Sequence, residues 1–318
     1  MHFQLPQLSE NQALQYINAQ SLIAAYQSAV RERKQLRGSM IWRKLRGVST
    51  LIRTSASGGQ KSLGAQSPQT LEMYDKFTQR KSVVQARLKS LSERMVEQRK
   101  LNRLYRIGRV PNMVVAVLQV LEKAGIAEQF LSVGTHAVYA YESACGVQLA
   151  SDATATRDLD LLFDTRKRIA FASTLERMDT SLIGVLQKAD STFRVRRDQL
   201  QTAVNADGFE VAIIRRQTKD SDPHPLRMSG DEDDFWAVQV SSGEKMLDCR
   251  KFEQLVVSTS GEMAIMKTLH PLDFVQIKTS LSQSPSRDPL KRGKDELQAR
   301  LVQQLWDDYL QHGPQANT

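Results

Sequence analysis

Apolar residues near the amino terminus recur at three- and four-residue steps. Leu14, Ile17, Leu22, Ile23, Tyr26 and Val30 predict a helix over 10–36, stopped at Gly38. Two runs of strand formers, 40–45 and 48–53, flank Arg46-Gly47 and predict a β-hairpin. The Ser- and Gly-rich stretch 54–66 reads as a loop. Ser67 and Pro68 then supply the N-cap and first-turn proline of a long helix reaching about Tyr105. Its apolar stripe, Phe77, Val84, Leu88, Leu91, Met95 and Tyr105, is interrupted by Lys81, Gln98 and Asn102. A helical arm packed on the body is expected there, not a free coiled coil. Gly108 and Pro111 punctuate the chain before another apolar helix over 114–121.

The pattern changes in the middle of the chain. Strands are expected at 130–133, 157–163 and 209–214, with helices between them, one burying Ala137, Val138, Ala140 and Tyr141. The acidic stretch 220–234, with Pro223 and Pro225, reads as a solvated loop in preference to a metal site. Short strand-like runs follow at 235–240, 255–257 and 262–265, then a helix over 274–281. A last helix over 295–310 aligns Leu297, Leu301, Leu305, Trp306 and Leu310. No internal repeat is present. The pattern predicts an α+β fold in three parts: a helical arm with a β-hairpin (1–110), a mixed-sheet core (111–240) and a mostly helical carboxy-terminal part (241–318).

Composition narrows the partners. No apolar run approaches the ~18–20 residues of a membrane span, and no signal peptide is evident at the amino terminus. Cys145 and Cys249 belong to no metal or redox motif, and the five histidines make no zinc pattern, so reduced thiols in a cytoplasmic protein are expected. The net charge of +9 is unevenly spread: residues 31–109 hold 20 Lys/Arg against 5 Asp/Glu. Such a surface attracts polyanions by counterion release, which makes RNA a candidate partner, although a solvated basic helix or a nucleoside triphosphate also accounts for part of it.

The chemistry concentrates in Thr156-Arg157-Asp158-Leu159-Asp160-Leu161-Leu162-Phe163, downstream of Leu131-Ser132-Val133-Gly134-Thr135. Alternation along a strand points Asp158 and Asp160 to one face, and two adjacent carboxylates in an apolar strand call for a positive charge between them. Their oxygens suit Mg²⁺ or Mn²⁺. Gly134-Thr135 ends a strand and opens a helix, where backbone N–H groups can face a phosphate. A phosphate cradle beside a metal-binding carboxylate pair describes nucleotidyl transfer.

The chain therefore resembles the DNA polymerase β-type nucleotidyltransferase superfamily. Within it, the chain is similar to a bacterial branch of about this length with no settled substrate. The likeness rests on Met40-Ile41-Trp42, Lys61-Ser62-Leu63-Gly64, Ser67-Pro68-Gln69-Thr70 and Arg106–Pro111. It continues through Val133–Thr135, Tyr139–Glu142, Thr154–Leu161 and Ser286–Arg292. Two departures stand out. Thr135 and Asp158 are about twice as far apart as their counterparts in smaller members. On the strand 208–215, Ala212 occupies the position expected for a third acid, with Glu210 two residues earlier on the same face.

The resemblance implies that Asp158 and Asp160 hold metal, with Glu210 as a substitute third carboxylate or a solvent-facing residue. Gly134 and Thr135 would grip the phosphates of an NTP, and Lys278, Lys291 and Arg292 would steady the triphosphate. Arg157 lies on the opposite face and is expected to form a salt bridge elsewhere. Gly58-Gly59-Gln60-Lys61-Ser62 lacks the glycine before lysine that a P-loop needs. Three functions stay open: transfer of an NMP to a hydroxyl of RNA, protein or a small molecule; a weakened transferase fold that binds RNA or a partner; and a toxin or defence protein that modifies tRNA.

Overall fold

The computed structural model describes residues 3–45, 47–55, 58–219 and 222–311, so Arg46 and Asp220 lie outside the described residues. The chain divides into two compact units, residues 16–101 and residues 1–15 with 102–318.

Residues 16–101 are built from two long helices and a small sheet. Helix α1 spans Glu10–Gln35 and helix α2 spans Pro68–Leu104. Between them run β1 (Ser39–Leu45), β2 (Val48–Thr54) and β3 (Gln60–Ala65), an antiparallel sheet in that order. Strand β3 corrects the expected loop. Its Ser and Gly residues have poor strand propensity, yet β2 leaves a row of backbone donors and acceptors that must be paired. A register shift between Leu51 and Ile52 accommodates the pairing. Lys61 and Ser62 therefore lie in a strand, which removes the P-loop reading. Between the helices, Leu22, Ala29, Val84, Leu88 and Leu91 form a buried apolar cluster. Lys81, one of the interruptions in the stripe, is accommodated because its ammonium donates to the Gly38 carbonyl at 2.6 Å. Ser67 caps α2: its hydroxyl accepts from the Thr70 N–H at 3.3 Å.

The larger unit begins with α3 (Asn112–Ala124), ended by Gly125 in the left-handed region at φ 73°. Strand β4 (Phe130–Val133) runs through a tight helical turn, Gly134–Ala137, into α4 (Val138–Cys145). The short helix α5 (Ser151–Thr154) fills the long gap before β5 (Asp158–Phe163). Next come α6 (Arg168–Arg177), α7 (Leu182–Leu186), β6 (Arg194–Val195), β7 (Thr202–Val204) and β8 (Glu210–Arg215). Strands β9 (Leu226–Arg227) and β10 (Trp236–Gln239) complete a seven-stranded mixed sheet, ordered β4-β5-β8-β10-β9, with β7 and β6 added beside β8. After α8 (Gly243–Asp248), a long hairpin of β11 (Lys251–Val257) and β12 (Met263–Leu269) precedes α9 (Pro271–Ser282) and α10 (Pro289–Leu305).

The core sits on the sheet. Leu159, Leu161, Val211 and Ile213 are fully buried, and Phe130, Phe163 and Phe171 pack edge to face or tilted at 5.0–5.7 Å between ring centres. Strands β6 and β7 were not legible because they are two and three residues long. The acidic stretch is not simply solvated, as its negative charge had suggested. Asp222 pairs with Arg216 at 2.6 Å, and buried Asp234 accepts from the Leu182 and Ile183 N–H groups at 3.0 and 2.8 Å. These carboxylates neutralise a cation and the start of α7, partners that are remote in sequence. Among the described residues, no helix is long and apolar enough to cross a membrane.

Candidate active site

The site grows from the pairing of β4 with β5. Their antiparallel register sets Val133 opposite Asp160, so the turn that begins at Gly134 starts directly beside that carboxylate. Gly134 has φ 72°, and a Cβ there would lie 2.7 Å from Asp160 Oδ2. Both the backbone and the close approach require glycine. Alternation along β5 buries Leu159 and Leu161 on one face and turns Asp158 and Asp160 to the other, Asp158 exposed and Asp160 half-buried. Burial, reinforced by the neighbouring Asp158 charge, pushes the Asp160 carboxyl up to about 6 against the opposing pull of Lys278, Lys291 and Arg287. With their oxygen donors, Asp158 and Asp160 are the residues of this face that could hold a hard divalent cation such as Mg²⁺ or Mn²⁺. Among the described residues, no group of three His, Cys, Asp or Glu side chains has metal-holding geometry.

The next strand is parallel. Strand β8 sets Glu210 opposite Asp158 and Ala212 opposite Asp160, and Ala212 faces Thr202 of β7 on its other side. Glu210 shares the face of the aspartates but is engaged: Arg196 donates to it at 2.8 Å and holds Asp198 at 2.8 Å as well. Arg157 corrects its expectation, because it forms no ion pair among the described residues. It lies near Gly208, 3.8 Å from where a Cβ would stand.

Cations arrive from the carboxy-terminal helices. Lys278 of α9 is buried and donates to Asp295 of α10 at 2.6 Å, and Arg287 donates to the other oxygen of Asp295 at 2.9 Å. Burial lowers the Lys278 pKa, and Asp295 opposes that fall. Asp288 caps α10 by accepting from the Leu290 and Lys291 N–H groups at 2.8 and 3.2 Å, which orients the turn carrying Lys291. Arg292 forms no ion pair among the described residues. Lys294 donates to the Ala155 carbonyl at 2.6 Å and feels the Asp158 charge. Gln298 donates to Thr135 Oγ1 at 3.2 Å and to the Ala153 carbonyl at 2.6 Å.

The structure therefore brings Gly134, Thr135, Asp158, Asp160, Lys278 and Lys291 together, and adds Arg287, Lys294, Asp295 and Gln298. A signal for the additions was present: Lys291, Lys294, Asp295 and Gln298 step by three and four along one helical face. The segments quoted around Arg109 and Glu142 serve as scaffold. Arg109 bonds Glu142 at 2.8 Å and the Leu149 carbonyl at 3.0 Å, tying α4 to the chain that leads toward β5. Burial pushes the Cys145 thiol up to about 12 and also raises Cys249, which favours the protonated thiol at both.

Comparison with curated proteins and with solved structures finds no match. Comparison with protein families matches residues 112–317, about two thirds of the chain, to a nucleotidyltransferase family. The cradle, the carboxylate pair and the cations facing them all fall inside that stretch, and the chain belongs to this nucleotidyltransferase family.

Proposed function

We propose that the protein transfers an NMP from an NTP to a hydroxyl acceptor with Mg²⁺ or Mn²⁺, as a bacterial member of the DNA polymerase β-type superfamily. The single observation that carries this reading is that Asp160 stands so close to Gly134 that a Cβ there would lie 2.7 Å from Oδ2, which sets the proposed phosphate cradle beside the proposed metal ligand. When bound, the metal supplies Lewis-acid stabilisation of the reacting phosphate and acidifies the acceptor hydroxyl. Asp158 and Asp160 would hold it. The Gly134 and Thr135 N–H groups and the Thr135 hydroxyl would orient the triphosphate, and Lys278, Lys291 and Arg287 would offset charge on the leaving pyrophosphate. Arg292 is a weaker candidate than Arg287, whose charge reaches Asp160.

Charge distribution favours RNA as acceptor. Residues 16–101 hold 17 Lys/Arg against 5 Asp/Glu, and the rest of the chain holds 27 against 30. The protein's excess of positive charge thus resides wholly in the smaller unit. Modification of tRNA by a toxin or defence protein is one form of this reaction, and a cytoplasmic setting suits both the NTP donor and the two free thiols. A second reading, a weakened transferase that binds RNA, is favoured by Ala212 beside Asp160 and by the engagement of Glu210 with Arg196.

The test is incubation of the full chain with each radiolabelled NTP, Mg²⁺ or Mn²⁺, and total RNA or cell extract. Label transfer by the wild type, and its loss in Asp158→Asn/Asp160→Asn together with metal binding by calorimetry, is the expected result. Unchanged metal affinity in the folded double variant would end the assignment of the pair. Metal and NTP binding without label transfer would select the weakened-transferase reading.

A further inference from the structure

The geometry points to Gln298 as a positioning residue that turns the Thr135 hydroxyl proton toward a bound phosphate; this rests on the cradle proposed above. Gln298 is fully buried on α10, and its amide nitrogen reaches two segments far away in sequence. The Ala153 carbonyl, 2.6 Å from that nitrogen, can only accept. An amide oxygen in its place would repel it, so the carbonyl locks the orientation of the amide. The lock holds even though Gln298 Oε1 is left buried without a partner among the described residues. An N–H of the same locked nitrogen is directed to Thr135 Oγ1 at 3.2 Å.

Thr135 Oγ1 therefore accepts. A hydroxyl carries one proton, and among the described residues the Thr135 hydroxyl donates to no group. Half-exposed and next to Gly134, it keeps its proton for an oxygen arriving in the cradle. An acceptor at position 298 would draw that proton inward and present a lone pair to the phosphate. Helix α10 also holds the approach to β5 at a second point, where Lys294 donates to the Ala155 carbonyl at 2.6 Å. One helix thus sets both the hydroxyl of the cradle and the chain that leads into the carboxylates.

The experiment uses the full chain and Mg²⁺ with inorganic tripolyphosphate, the part common to all NTPs, in calorimetric titrations. Thr135→Val should weaken binding roughly ten- to a hundredfold, as for one lost hydrogen bond to a charged group, and Thr135→Ser should restore it. Gln298→Met should weaken binding several-fold in the wild-type and Thr135→Ser backgrounds, with no further loss in Thr135→Val. A merely structural role would cost the same in every background, and that result overturns the inference. So does Gln298→Met binding like wild type while Thr135→Val does not. A wild type that fails to bind tripolyphosphate removes the cradle itself, and the inference with it. Should Gln298→Met fail to fold, Gln298→Glu keeps the shape but presents an acceptor; its loss must be larger in the wild-type background than in Thr135→Val, and equal losses overturn the inference.

Discussion

At the scale of single residues, His136 is governed by burial and Glu210 by its ion pair with Arg196. His136 is fully buried beneath the cradle, stacked on Tyr139 at 5.9 Å, and neither ring nitrogen has a partner among the described residues. Burial, aided by the Lys294 charge, lowers its pKa from 6.5 to about 4. Between those values the unfolded chain holds a proton that the folded protein lacks. This group therefore leaves stability unchanged above about pH 6.5 and lowers it as pH falls toward 4, where the unfolded chain gains the proton first. The whole shift corresponds to on the order of 3 kcal/mol. Urea titrations at pH 7.5 and 4.5 should show the wild type losing more stability than His136→Phe; parallel losses would refute the burial argument. Glu210 poses a catalytic question. As a third carboxylate, its change to Gln should cut kcat roughly a hundredfold or more with KM for NTP little altered. Ala212→Asp in that background should recover part of the rate. An unaffected rate in Glu210→Gln would reduce Glu210 to the ion-pair partner of Arg196.

At the scale of elements, Asp295 of α10 ties down two cations at once, buried Lys278 of α9 and half-exposed Arg287 of the link between the helices. Removing one partner of a buried ion pair leaves an uncompensated charge and costs about 3–5 kcal/mol. Asp295→Ala should lower the urea-unfolding free energy by that amount. Adding Lys278→Met and Arg287→Met to it should recover much of the loss, since the buried Lys278 charge is then no longer left without its partner. Additive losses in the triple variant would show that packing, and not charge, holds the two helices. The β4-turn-α4 element shows a similar economy of means, since a single glycine meets the turn conformation and the approach of Asp160.

At the scale of the whole molecule, the uneven charge makes a prediction about salt. If the smaller unit contacts RNA, log K against log[salt] should slope at roughly −0.7 per phosphate contacted for single strands. Lys44, Lys61, Lys89 and Arg99 are exposed there, and Arg46 belongs to the same basic stretch outside the described residues. Neutralising each contacting residue should weaken RNA retention and make the slope shallower by about 0.7. A flat salt dependence in filter binding, or no retention at low salt, would point to a small-molecule acceptor. Transfer activity on a minimal acceptor should survive the same substitutions, because none of these residues belongs to the carboxylate site.

Local pattern was enough for α1, α2, β1, β2, β4, β5 and β8, and for the shared face of Asp158 and Asp160. Periodicity, caps and alternation act over a few residues, so the chain itself carries them. The belonging of β3 to a sheet was not legible, because its Ser- and Gly-rich residues are recruited by the open edge of β2 and not by their own propensity. Nor could the sequence foresee that the charge of Arg287, beside those of Lys278 and Lys291, reaches Asp160. Glu210 was legible as sharing a face with Asp158, but Arg196 as its partner was not. Gln298 and Thr135 stand 163 residues apart, yet they meet in a hydrogen bond of 3.2 Å. The sequence by itself determined which residue types recur and on which local face. Only the tertiary structure decided which faces meet, because that depends on strand register and helix docking between distant segments.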